Sequence, residues 1–135
     1  MQRTFLFTIL LLIACNSEKP NYIKAENAFD AGREFIDGTL KGDFKKSAYY
    51  MLPDSVNLQF LSVNEKDFRL KDKEGRQQLR SASINILQVE DIDSLSSIIH
   101  YQNSFEKKAE AVKVIKQNNN WLVDYKYSFQ KKSVN

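Results

Sequence analysis

The sequence predicts an α+β domain: an N-terminal helical hairpin packed on a curved antiparallel sheet of about four strands. Three observations carry that expectation. Apolar residues between Tyr22 and Leu52 recur at the three- and four-residue spacing of a helix face. After Ser83 they alternate with polar ones, the period of a half-buried strand. Gly42-Asp43, Pro53 and Asn118-Asn119-Asn120 stand where one pattern stops and the next starts.

The first helix is expected from about Tyr22, with Tyr22, Ala25, Phe29, Ile36 and Leu40 near one face and Lys24, Glu26, Asp30, Arg33, Asp37 and Lys41 mostly opposite. Gly42 suits a left-handed C-terminal cap, because it lacks the Cβ that makes positive φ costly. Asp43 suits the N-cap of a second helix, where its carboxylate can accept a free backbone N–H. That helix carries Phe44, Ala48, Met51 and Leu52, and Pro53 ends it. Residues 53–82 are less regular. Val56, Phe60 and Leu61 fit a short helix or an irregular apolar segment, and residues 64–80, rich in charge, fit a loose helix broken at Gly75.

Four strands follow. Residues 84–89 form the first, and residues 91–94 supply turn residues. Residues 95–105 form the second, with Ile99, Tyr101 and Phe105 on one face and Ile98, His100 and Gln102 on the other. Glu106-Lys107-Lys108 turns the chain into a third strand at 109–117, with Val112 and Val114 facing the core. Asn tolerates positive φ, so the Asn118-Asn119-Asn120 run makes the next tight turn. The last strand reads most cleanly, with Trp121, Val123, Tyr125, Tyr127 and Phe129 alternating with Leu122, Asp124, Lys126 and Ser128.

The chain before this domain has another character. Arg3 precedes an apolar run from Phe5 to Ile13, and Ala14-Cys15 follows. A membrane-spanning helix needs about 20 apolar residues, and this run stops short before Asn16, Ser17, Glu18 and Lys19. A positive start, a short apolar core and a small residue before the break are the marks of an export signal. Leu12-Ile13-Ala14-Cys15 resembles the lipobox of bacterial lipoproteins, and Cys15 is the only cysteine in the chain. The resemblance implies cleavage between Ala14 and Cys15 and acylation of Cys15 with diacylglycerol, often with a further chain such as palmitate on the new amino group. Each buried CH₂ contributes about 0.8 kcal/mol, so two or more chains hold a protein stably at a membrane. The expected organisation is a signal peptide over 1–14, a lipidated cysteine and short linker over 15–21, one domain over 22–130, and a polar tail over 131–135. The residue after Cys15 is Asn16 rather than Asp, which leans towards the outer membrane of the cell envelope, facing the periplasm or the outside.

Composition narrows the function classes. About 120 residues remain after the signal, enough to bury one core without disulfides. The formal net charge is +3, and acidic and basic residues are interleaved. Nucleic-acid binders concentrate their basic residues on one face, whereas here lysines adjoin only as Lys45-Lys46, Lys107-Lys108 and Lys131-Lys132, so nucleic acid is not an expected partner.

The run from Phe35 through Gly42-Asp43-Phe44 to Ala48, followed by a sheet ending in Asn120-Trp121-Leu122-Val123, resembles small lipoproteins of the nuclear transport factor 2-like superfamily, the fold also of ketosteroid-isomerase-like and cystatin-like domains. The likeness covers roughly residues 25–129, with 64–80 unmatched. It implies a cavity between helices and sheet that serves catalysis in some relatives and binding in others, so function does not follow from fold.

Within that frame, Tyr101, Trp121, Tyr125 and Tyr127 are the expected pocket lining. His100, the single histidine, is a weak candidate base, more readily explained as a strand residue. Asp124 and Lys126 read as a solvated face rather than a catalytic pair. Asp91 and Asp93 have the spacing of a cation site but suit a hairpin turn better. No zinc spacing, phosphate loop or nucleophile elbow is present, and no metal or cofactor is expected. The sequence therefore favours a non-catalytic, lipid-anchored binding domain for an envelope protein or small ligand, open to pairing with a second copy. Two alternatives stand beside it: a cavity enzyme of isomerase or dehydratase type, and an inhibitor or immunity-type protein.

Overall fold

The computed structural model describes residues 21–130. The expected leader at 1–14, Cys15 with nearly all of its linker, and the tail at 131–135 lie outside the described residues. Helices come first and a four-stranded antiparallel sheet follows in the order β1-β2-β3-β4, so the domain is α+β.

Helix α1 (Ala28–Lys41) starts later than the periodicity predicts. Asn27 is its N-cap, and its side chain accepts the Asp30 N–H at 2.9 Å. Tyr22 and Ala25 precede the helix yet pack against the core. Phe29 is partly exposed, and the buried stripe is Ala28, Ala31, Phe35, Ile36 and Leu40. Gly42 caps the helix at φ 75°, and Asp43 caps α2 (Phe44–Tyr49) by accepting the Lys46 N–H. Both caps stand where the sequence places them. Helix α2, however, ends before Met51 and Leu52. Those two residues run alongside the last strand instead: Leu52 N–H donates to Val123 O, and Val123 N–H donates to Tyr50 O.

The middle of the chain is more regular than expected. Helix α3 (Ser55–Leu70) is continuous, capped by Asp54, and α4 (Lys73–Ser81) is capped by Asp72. The break lies at Lys71-Asp72 rather than at Gly75, whose N–H is bound by the Asp72 carboxylate within the first turn of α4.

The sheet is a meander. Strand β1 (Ile84–Asp93) extends through the residues expected to turn, and bulges at Leu87 and Ile92 disturb its register with β2 (Ser96–Asn103). Strand β2 stops at Asn103, whose side chain accepts the Phe105 and Glu106 N–H groups, so Phe105 sits in the turn, partly exposed, and not on the core face. Strand β3 (Glu110–Gln117) is joined to β4 (Asn120–Asp124) by Asn118 and Asn119 at φ 49° and 61°, the two-residue turn that the asparagines predict. Strand β4 ends five residues early. Lys126 N–H turns aside to the Asn57 side-chain Oδ1 at 2.7 Å, and Tyr127–Gln130 coil into a short helix, α5.

The core lies between α1 and the inner sheet face, where Phe35, Ile36, Met51, Ile99, Val112, Val114 and Val123 are fully buried. At its rim Lys46 bridges Glu34 and Asp37, and Lys41 also reaches Asp37. Burial works to raise the Asp37 carboxyl, but hydrogen bonds from Lys41 and Lys46 outweigh it and hold the group below its ordinary range. A depressed folded value stabilises the fold above the unfolded pKa and loses that effect as pH falls through the folded one. The melting temperature of Asp37→Asn should therefore trail the wild type above about pH 5 and converge with it towards about pH 2.

Candidate functional site

Helices and sheet do not close on each other completely. They leave an open cleft of about 530 Å³, walled by Phe35 and Thr39 of α1, Val63, Asn64, Asp67 and Phe68 of α3, Tyr101 and Glu110 of the sheet, and Tyr125, Tyr127 and Phe129 at the end of the chain. The volume is within the range of small-molecule sites.

The aromatic wall is held by ring contacts. Tyr125 meets Phe35 edge-on at 4.8 Å and Phe129 at 5.0 Å, while Phe129 stacks flat on Phe60 at 4.0 Å. The turn after Asp124 makes the stack available: as a continuing strand, 127–129 could not fold back under α3. Offset and edge-on ring pairs add about 1 kcal/mol each beyond the area they bury.

Two hydroxyls give the wall polarity. Tyr101 donates to Glu110 Oε2 at 3.0 Å, and Asn64 Nδ2 donates to the Tyr125 hydroxyl oxygen at 2.7 Å. Burial, and next the Glu110 charge, pushes the Tyr101 hydroxyl well above its usual value. Burial pushes Tyr125 up to about 12, with the Asn64 hydrogen bond pulling the other way. Both phenols stay protonated at neutral pH. They are equipped to orient a bound molecule by hydrogen bonding rather than to take a proton from it.

Of the expected lining, Tyr101, Tyr125 and Tyr127 come together at this cleft. Trp121 does not join them. It lies in a separate, smaller groove with Lys24, Ala25, Tyr49, Tyr50 and Leu122. Asn64 and Asp67 of α3, to which the sequence reading gave no role, sit with Phe68 three and four apart on one helix face; a continuous helix was the missing premise.

His100 borders the cleft, but its Nε2 lies 3.5 Å from the Glu90 carboxylate across the β1–β2 pair. Asp91 and Asp93 are committed to their hairpin. Asp91 accepts the Ser97 hydroxyl, and Asp93 accepts the Leu95 N–H and the Ser96 hydroxyl, the Leu95 bond being the main reason its carboxyl is lowered. Asp124 and Lys126 are not a simple solvated pair. They contact each other at 2.7 Å, Lys126 also reaches Asp54, and Asn57 donates to Asp124, so together they lock the start of α3 to the end of β4. Among the described residues, no group of three or more His, Cys, Asp or Glu side chains is arranged to hold a metal.

No family model, curated protein or solved structure matches this chain. The site is therefore read from its own chemistry. Three carboxylates, Asp67, Glu106 and Glu110, face the cleft with one lysine, Lys71. That balance sets it against anions.

Proposed function

We propose that this chain is a lipid-anchored bacterial envelope protein whose domain, of the nuclear transport factor 2-like type, binds a small neutral or cationic ligand without transforming it. The observation that carries the ligand-binding part is the aromatic cleft with its two protonated, hydrogen-bonded tyrosines. The order of elements, helices and then a meander with the cleft between them, supports the fold resemblance. The lipobox-like Leu12-Ile13-Ala14-Cys15 supports the anchor. No helix among the described residues is long and apolar enough to cross a membrane.

Val63 stands half-exposed at the cleft wall, so Val63→Trp obstructs the cleft at little cost to the core. A low-molecular-mass extract of the source envelope should raise the wild-type melting temperature and leave Val63→Trp unmoved; a ligand at about 100 times its Kd contributes about 2.7 kcal/mol. An equal rise in both proteins, or none in the wild type, removes this reading.

One observation favours protein contact instead. The far edge of β4 is covered by residues 50–52, whereas β1 is the other edge strand and exposes Leu87, Val89 and Ile92. Open apolar edges accept an added strand. A Val89→Lys variant that loses an envelope cross-link while keeping the ligand would give that edge its own role.

A further inference from the structure

The smaller groove holds the chain's only tryptophan, and it lies where the chain enters the domain. Tyr50 donates its hydroxyl to the Ile23 carbonyl at 2.5 Å, and Tyr22 packs on Tyr49 at 5.4 Å and on Tyr50 at 6.4 Å. These contacts pin residues 22–23 to the face formed by α2 and the start of β4. On that face Ile23 is 82 % exposed and Tyr49 is 46 % exposed, with Trp121 and Leu122 half-buried beside them. Lys24 and Lys45 are exposed there, Lys45 lying one helical turn before Tyr49. Lys116 holds its ammonium 5.5 Å from the centre of the Trp121 ring.

We infer that this face, carrying Ile23, Lys24, Tyr49 and Trp121, rests on the lipid headgroup layer. The inference builds on the lipid-anchor part of the proposed function. Six residues lie between Cys15 and Tyr22, a reach of at most about 25 Å from one Cα to the other. A domain on so short a tether spends its time against the bilayer, and the pinned entry segment presents this side first. The chemistry fits the boundary: amphipathic Trp and Tyr rings settle at headgroup level, an exposed Ile reaches the acyl region, and lysines pair with anionic phosphates. Asp43, which meets the entry segment, is taken up by the Tyr22 hydroxyl and by the α2 cap, and Glu26, two residues after Lys24, is the exposed acidic group beside it. The ligand cleft shares no lining residue with this groove, so docking leaves its wall free.

The test uses the full lipidated chain in vesicles of phosphatidylethanolamine and phosphatidylglycerol, some brominated near the headgroup end of the acyl chain. Trp121 is the only indole, so its emission reports this face alone. The protein should float with the vesicles, and bromination should lower its emission about twofold, as expected of an indole at headgroup depth. The double variant Ile23→Asp/Lys24→Glu, altered only at exposed positions, should still float but lose most of the quenching. Flotation without quenching overturns the docking face and leaves the anchor standing. A wild-type chain that does not float, or one that floats equally well as Cys15→Ser, overturns the anchor and this inference with it.

Discussion

Replacing Asn57 by leucine is expected to lower stability by about 3 kcal/mol, the cost of losing three hydrogen bonds where α3 starts and β4 ends, two of them to carboxylates. Asn57 is fully buried and has no spare hydrogen-bonding capacity towards solvent. Its Nδ2 donates to Asp54 Oδ2 at 2.9 Å and to Asp124 Oδ1 at 3.1 Å, while its Oδ1 accepts the Lys126 N–H at 2.7 Å. Leucine fills similar space but satisfies none of them. The effect should reach beyond stability, because the Lys126 bond is what turns the chain out of β4. With it gone, α5 loses its fixed starting point, and Tyr125 and Phe129 lose their places in the cleft. Chemical denaturation reads the first effect, and loss of the ligand-induced melting shift reads the second. A cost under about 1 kcal/mol would mean that water replaces the side chain and that the turn is set elsewhere.

Gly38→Ala should destabilise the protein by about 2 kcal/mol, although helix propensity alone favours alanine by about 1 kcal/mol. Packing outweighs propensity here because of what the new methyl group meets. A Cβ at Gly38 would lie 2.3 Å from Ser47 Oγ, 2.9 Å from the Asp43 carbonyl oxygen and 3.0 Å from Ser47 N. Two of these are backbone atoms of the α2 start, and Ser47 Oγ is itself committed to the Phe35 carbonyl at 3.0 Å. Helix α2 must move off α1, taking the Tyr49-Tyr50 cluster with it. Gly75→Ala is the matched control: its Cβ meets Asp72 Oδ1 at 2.9 Å and otherwise only the Lys71 side chain at 3.6 Å. That substitution should cost little or add stability, and comparable losses in both would refute the close-approach argument.

Local chemistry was legible in the sequence, and long-range chemistry was not. Gly42, Asp43 and the Asn118-Asn119 turn act through their own backbone and immediate neighbours, so residue type alone locates them. The inner face of β3 was readable because burial there alternates at Val112 and Val114, and in β2 Ile99 and Tyr101 keep that period although Ser96, Ser97 and Ile98 are buried as well. Helix α3 was obscured because only Asn57, Leu61 and Phe68 are buried, while Val56, Leu58, Val63 and Leu70 face solvent. A stripe that narrow, interrupted by exposed apolar residues, gives almost no periodic signal. The end of β4 was hidden for a different reason. The alternation of Tyr125, Tyr127 and Phe129 suits a strand, and what overrides it is Asn57, a partner 69 residues away along the chain. The site inherits both patterns. Its tyrosines stood out as aromatic residues on the second and the last strand of the reading, but the Asn64 and Asp67 wall depended on α3. Trp121 shares a face with Tyr125 by alternation, yet four residues of strand put it about 13 Å away, in the other groove.

The measurement that bears most directly on the ligand cleft is native mass spectrometry of the chain taken gently from its own envelope, wild type beside Val63→Trp. The wild type should carry a small neutral or cationic molecule that leaves on denaturation, and the blocked variant should arrive bare. A bare wild-type chain, or an adduct held equally by Val63→Trp, would contradict the account and move the function from the cleft to the surface.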